Sequence, residues 1–312
     1  MFEIFTDSGA NLPACRAEAA NIRVIPFMND VDGRILPGFR PGYTPEQERE
    51  EGANFYNCIR LGAKVKTSLI NTEAFKAAFR PVLEEGKDLI CITISSGISG
   101  TYTAAKLAAE DLSEEFAGRD IEVIDSKNAS LASGIMALYA DELRQKDFTA
   151  HKAAEVLRSS VLNMNGIFTV GSLKYLKASG RVSGAAAAVG GLLDIRPILR
   201  GSKDAVIVQY KKCRGRRQSL DTLVDLVCSN IVVPEKQIIG IAHADAYEES
   251  LAIMDRIRER INVRDFINTT YDTCTGSHVG PDTIALFFMG VDRELDPAAK
   301  ASGTLPSVLK YL

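Results

Sequence analysis

The stretch Ile92-Thr93-Ile94-Ser95-Ser96-Gly97-Ile98-Ser99-Gly100-Thr101-Tyr102 changes character twice. It begins as the end of an apolar run from Leu89 to Ile94 with no polar alternation. Such a run suits a parallel strand covered on both faces. It then breaks into hydroxyls and glycines, and an Ala-rich helix is expected from about Thr101. A strand, a small polar turn and a helix N-terminus together form the place where α/β folds bind anions. Glycine lets backbone approach a ligand closely, and the free N–H groups and the helix dipole favour negative charge. The same residues also make an ordinary helix cap.

Working outward, the pattern recurs. Phe2 to Thr6 reads as a first strand and is followed by Asp7-Ser8-Gly9, where Asp7 and Ser8 either cap or serve a ligand. Lys66-Thr67-Ser68 reads as a hydroxyl-bearing loop before a helix, and Ser126 follows the strand Ile121 to Asp125. Four strand ends carrying Ser or Thr, joined in βαβ order, predict a parallel sheet with a hydroxyl-lined carboxyl edge. Beyond residue 162 the order changes to strands with two helices between them. The expected fold class is therefore α/β with two domains. An N-terminal parallel sheet flanked by helices spans 1–162 and a C-terminal α+β domain spans 163–312, with a peripheral tail from about 292.

Composition narrows the function classes. Of 312 residues, 46% are hydrophobic and 25% charged, as in ordinary globular proteins. The longest apolar runs fall short of the roughly 18 residues that a membrane span needs. A net charge of −3 argues against a nucleic-acid binder. The six cysteines, at 15, 58, 91, 213, 228 and 274, stand singly and without zinc spacing. They point to a reducing, cytoplasmic setting and to no metal site. The run Lys211-Lys212-Cys213-Arg214-Gly215-Arg216-Arg217 reads as a solvated turn or as a contact for phosphate, an acidic partner or an anionic membrane. The small-residue segment Ala185 to Leu193 permits close helix packing or leaves room for an apolar guest.

Nucleotide loops, zinc-protease motifs and serine-hydrolase elbows are missing. Among the histidines, His151 reads as surface and His243 as structural. His278 lies between glycines in an expected turn and is the best functional candidate.

At this point a resemblance emerges. Thr6-Asp7-Ser8, Lys66-Thr67-Ser68, Ser95-Ser96-Gly97-Ile98-Ser99-Gly100-Thr101-Tyr102, Val123-Ile124-Asp125-Ser126, Ser179-Gly180-Arg181-Val182-Ser183, Ile195-Arg196-Pro197-Ile198-Leu199 and Gly276-Ser277-His278-Val279-Gly280-Pro281 stand in one order. That ordered set resembles the DegV family of bacterial fatty-acid-binding proteins over about residues 2 to 290. Three turns depart from the family's usual pattern: Ser179 precedes Gly180-Arg181, Asp282 follows Gly280-Pro281, and Leu69-Ile70-Asn71 follows Thr67-Ser68.

The resemblance implies a long-chain fatty acid such as palmitate, stearate or oleate held between two domains, with no cofactor and no enzymatic activity. It implies that Thr67 and Ser96 hold the carboxylate, that Ser68 and Ser95 share the role, and that Arg181 and His278 form the polar network behind it, near Ser96. It also implies a fatty acid kinase as partner, to which the carboxylate is presented; transient membrane contact is an expectation from the basic run Lys211 to Arg217. Physical chemistry agrees, because a buried carboxylate needs hydrogen-bond donors or a paired charge. An acyl tail needs an apolar cavity, at roughly 0.8 kcal/mol per methylene transferred. The rival readings are a serine hydrolase acting on a lipid ester or thioester, using Ser96 or Ser99 with His278 and an Asp, and a relative of sugar or dihydroxyacetone kinases.

Overall fold

A computed structural model describes residues 1–182, 194–294 and 305–312. The Ala185 to Leu193 segment lies outside the described residues. The first sheet has the order β2-β1-β6-β7, all parallel, with β1 at Phe2–Asp7, β2 at Ile22–Ile25, β6 at Asp88–Thr93 and β7 at Ile121–Asp125. The apolar run that begins before Ile92 is the inner strand β6, buried on all but its first residue. Helices Thr72–Glu84 and Thr101–Glu115 cover one face through Phe75, Phe79, Ala105, Ala108 and Leu112.

The second half builds a six-stranded mixed sheet in the order β10-β9-β8-β13-β11-β12. Its strands are β8 (Met164–Thr169), β9 (Ile195–Gly201), β10 (Ile207–Arg214), β11 (Ile238–His243), β12 (Asp265–Thr270) and β13 (Ile284–Met289). Only β11 and β12 run parallel; the other pairs are antiparallel. The α/β fold class with an N-terminal parallel sheet and a C-terminal α+β unit is thus observed.

The helix Leu131–Arg144 is the layer shared by the two sheets, with twelve of its residues buried. It packs on β1 and β6 from one side and on β11 from the other. Gly240 of β11 allows this approach, since a Cβ there would lie 2.8 Å from the Leu131 Cβ. From Leu131 to Ala140 this helix is almost wholly apolar, and such a stretch is stable only when covered on every side.

Three features depart from expectation. A small antiparallel sheet of order β4-β3-β5 lies at the edge, with β3 at Met28–Val31, β4 at Arg34–Pro37 and β5 at Val65–Thr67. The expected loop at Lys66-Thr67 is therefore an edge strand, fixed by partners more than 30 residues away. The basic run is no turn, since it spans the end of β10 and the start of the helix Gly215–Asn230. The described end of the chain is not peripheral: Val308 and Leu309 are buried against the helix Ala150–Ser160, and the Val308 N–H donates to Ser160 Oγ at 3.1 Å. Apolar burial outweighs the prolines that suggested a loose extension.

Candidate functional site

Between the two halves lies a cavity of about 320 Å³. Ile94, Ser95 and Ile98 reach it from the end of β6, and Thr67, Ser68 and Leu69 from the end of β5. Phe168, Ile207 and Phe287 close it from the second sheet, and Leu176 and Arg181 lie beside them. The helix Thr273–Val279 supplies a wall through Cys274, Thr275, His278 and Val279, continued by Tyr271 just before its start. These spacings of three and four residues define one helix face.

The polar groups converge at one end. Thr67 Oγ1 and His278 Nε2 are hydrogen-bonded at 3.2 Å, joining β5 to that helix. Arg181 Nε donates to the Ile98 carbonyl at 3.3 Å. Burial pushes the His278 imidazole down to about 4, and the nearby Arg181 cation adds to this. His278 is therefore neutral at pH 7, with Arg181 as the adjacent positive charge. The Ser68 hydroxyl is at the exposed rim and donates to the Met28 carbonyl at 3.2 Å.

The serine turn is arranged differently from its sequence reading. Ser95 lines the cavity, but its hydroxyl donates to the Ala205 carbonyl at 2.6 Å. Ser96 is exposed, and its hydroxyl donates to Asp125 Oδ2 at 2.6 Å. Ser96 is thus outside the cavity lining, although Ser95, Ile98, Ser99 and Gly100 of the same turn are in it, and Asp125, at the end of β7, offers Ser96 the stronger, charged acceptor. A Cβ on Gly97 would lie 2.3 Å from the Ala205 carbonyl oxygen, so this glycine admits a neighbouring turn of the protein. Ser99, also in the cavity lining, accepts at Oγ from the Thr101 N–H at 3.3 Å, one residue ahead of the N-cap Gly100.

Arg181 and His278 line the same cavity from distant parts of the second half: His278 is bonded to Thr67, and Arg181 to the Ile98 carbonyl, two residues from Ser96 in the serine turn. His278 belongs to a helix and not to a turn between glycines, because Asp272 caps that helix by accepting from the Thr275 N–H at 2.7 Å. Asp7 is not a cap: its carboxylate accepts from the Ile94 N–H at 2.8 Å. Ser8 Oγ accepts from the Phe27 N–H at 2.9 Å. Burial pushes the Asp7 carboxyl up to about 7, with the Asp272 charge adding to the rise, and burial raises Asp272 to about 6.

Sequence reasoning missed Tyr271, Cys274, Thr275 and Val279. Their signal was present in the helical spacing that follows a capping Asp. The serine-hydrolase reading finds no support, since Ser96 is bonded to Asp125 and His278 to Thr67. Among the described residues no cluster of three or more His, Cys, Asp or Glu could hold a metal, and no helix is long and apolar enough to cross a membrane.

The family profile described as "Uncharacterised protein, DegV family" matches residues 1–290. The chain belongs to the DegV family. A DegV domain-containing protein of Clostridium perfringens is 32% identical over 294 residues, covering 94% of this chain and 99% of that one. A protein of Thermotoga maritima named fatty acid-binding protein is 30% identical over 298 residues, covering 94% and 99%. Among solved structures, a DegV lipid-binding protein of Thermotoga maritima superposes with a TM-score of 0.77 at 29% identity, covering 94% of this chain and all of that one. A DegV family protein of Thermus thermophilus, described by its fatty acid binding, gives 0.79 at 25% identity, covering 93% and 99%.

Proposed function

We propose that this protein binds one long-chain fatty acid in the cavity between its halves and presents the carboxylate to a separate fatty acid kinase. The observation that carries the reading is the apolar cavity with Thr67, Ser68, Arg181 and His278 gathered at one mouth. The acyl tail lies against Ile94, Leu176, Phe168 and Phe287, each buried methylene contributing roughly 0.8 kcal/mol. With the neutral His278 donating its Nε2–H to Thr67 Oγ1, the Thr67 hydroxyl is free to donate to the carboxylate, and Arg181 balances its charge. Ser95 holds the wall through Ala205 and does not touch the ligand.

Thr67, Arg181 and His278 also line a surface depression of about 430 Å³ with Ile59, Val65, Lys66 and Tyr175. A group held at these three residues is therefore within reach from outside, which suits phosphorylation by a partner. The exposed Lys211, Lys212, Arg214 and Arg217 offer an acidic partner surface a place to dock.

Native mass spectrometry of the purified protein tests the binding reading. A noncovalent mass in the fatty-acid range, restored to delipidated protein by palmitate, stearate or oleate, is the expected result. Absence of saturable binding by all three acids overturns it. Acyl phosphate formation that requires both this protein and a kinase tests the second half of the proposal.

A further inference from the structure

The described residues past 290, where the family profile ends, pass back across both halves. Arg293 is 2% exposed, and its guanidinium donates to main-chain carbonyls on both sides of the junction. Val161 at 3.1 Å and Met164 at 2.6 Å lie where the chain passes from the first half to the second. Lys127, at 2.9 Å, follows β7 and is in the cavity wall. The Met164 carbonyl also accepts from Asn128 Nδ2 at 3.1 Å, and Asn128 lines the cavity too. A buried cation solvated by carbonyls in this way is costly to displace.

Residues 305–312 make a second crossing. On the first half, Ser160 holds the Val308 N–H, Lys146 Nζ donates to the Tyr311 carbonyl, and the Tyr311 ring meets Phe148 edge-on with centroids 5.0 Å apart. On the second half, Lys236 Nζ donates to the Leu309 carbonyl at 3.3 Å and to the Leu312 main-chain oxygen at 2.9 Å. Between these anchors Val308 and Leu309 join the core that the two halves share. The anchors lie away from the mouth. The helix Ala150–Ser160 packs on β7, at the opposite edge of the first sheet from β2. Ser68 at the mouth is instead bonded to Met28, shortly after β2. Lys236 precedes the start of β11, whereas His278 precedes Ile284, which pairs with His243 at the far end of that strand. Parting the halves at the mouth therefore works against bonds on the opposite side.

We propose that Arg293 and the segment 305–312 form a latch across the two halves that sets how fast a fatty acid enters and leaves the cavity. The inference rests on the fatty-acid reading above and adds control of exchange to it. A latch favours the closed state with or without ligand, so loosening it speeds entry and exit alike and leaves affinity nearly unchanged. The test is transfer of radiolabelled stearate from loaded protein to excess albumin, which reads the dissociation rate, beside equilibrium titration of delipidated protein. The proteins are wild type, Leu309→Ala, Lys236→Met and, as a control, Val224→Ala, which thins the core of the second half outside both cavity and latch. The expected result is a dissociation rate about tenfold higher in Leu309→Ala and about threefold higher in Lys236→Met, with Kd within about threefold of wild type. Val224→Ala should lower the urea midpoint and leave the rate unchanged. Lys236 is only half-buried, so Lys236→Met decides the matter if Leu309→Ala fails to fold. Dissociation at the wild-type rate in the latch variants overturns this proposal alone, as does equal acceleration in Val224→Ala. A wild type that binds no stearate removes the fatty-acid reading and this proposal with it.

Discussion

The serine turn from Ser95 to Thr101 and the helix Thr273–Val279 look alike in sequence, since both mix hydroxyls with glycines. The turn directs its hydroxyls to the protein: Ser95 to Ala205, Ser96 to Asp125 and Ser99 to the helix start. The helix directs Cys274, Thr275, His278 and Val279 along the cavity. Small polar residues at a strand end therefore signal a close approach of backbone, and only their partners tell whether a ligand or a neighbouring turn approaches. Asp7 links the two regions, accepting from Ile94 beside the turn and feeling the Asp272 that caps the helix.

The largest effect expected from breaking this link is pH-dependent. The folded pKa of Asp7, about 7, lies above the ordinary carboxyl value of 3.8, so the proton is held more tightly in the folded state. Relative to Asp7→Asn, wild type should be most stable below pH 4 and lose stability as pH rises through about 7, by on the order of 3–4 kcal/mol. Urea unfolding of both proteins between pH 4 and pH 8 measures this. A difference that stays flat with pH shows that Asp7 titrates normally.

Removing the cation at the cavity mouth comes next. Arg181→Ala should weaken stearate binding by about 1.5–3 kcal/mol, the range for hydrogen bonds to charged groups. Equal affinity in calorimetry would place the carboxylate away from Arg181. Gly97→Ala should destabilise the fold by about 1–3 kcal/mol, because its Cβ meets the Ala205 carbonyl. An unchanged urea midpoint would mean that the Ala205 turn yields freely.

The smallest effects sharpen the comparison most. Thr67→Ala should cost about 1 kcal/mol of stearate affinity. Ser96→Ala should cost less than about 0.5 kcal/mol. The reverse order would restore the serine turn as the carboxylate site.

Much of the fold was legible because its cues were local. The apolar, β-branched run before Ser95 announced a covered parallel strand, and the nearly all-apolar stretch from Leu131 to Ala140 carries the signal of a helix buried on every side. β5 was not legible, since three residues with two polar side chains become a strand only through pairing with β3. Thr67, Arg181 and His278 could be named from ordered motifs, but their convergence depends on contacts 211 residues apart for Thr67 with His278 and 83 apart for Arg181 with Ile98. Ser96 was misplaced because its choice of Asp125 over the cavity depends on how the turn faces. Gly276 and Gly280 disguised a helix as a turn, although the capping Asp272 stood in view.

The central claim is that the acyl carboxylate rests at Thr67, Arg181 and His278. Carbon-13 NMR of carboxyl-labelled stearate bound to delipidated wild type, Thr67→Ala, Arg181→Ala and Ser96→Ala tests it directly. The account predicts a single bound carboxylate resonance that moves in Thr67→Ala and Arg181→Ala and stays in place in Ser96→Ala. A resonance that moves with Ser96→Ala and ignores the other two substitutions would contradict it.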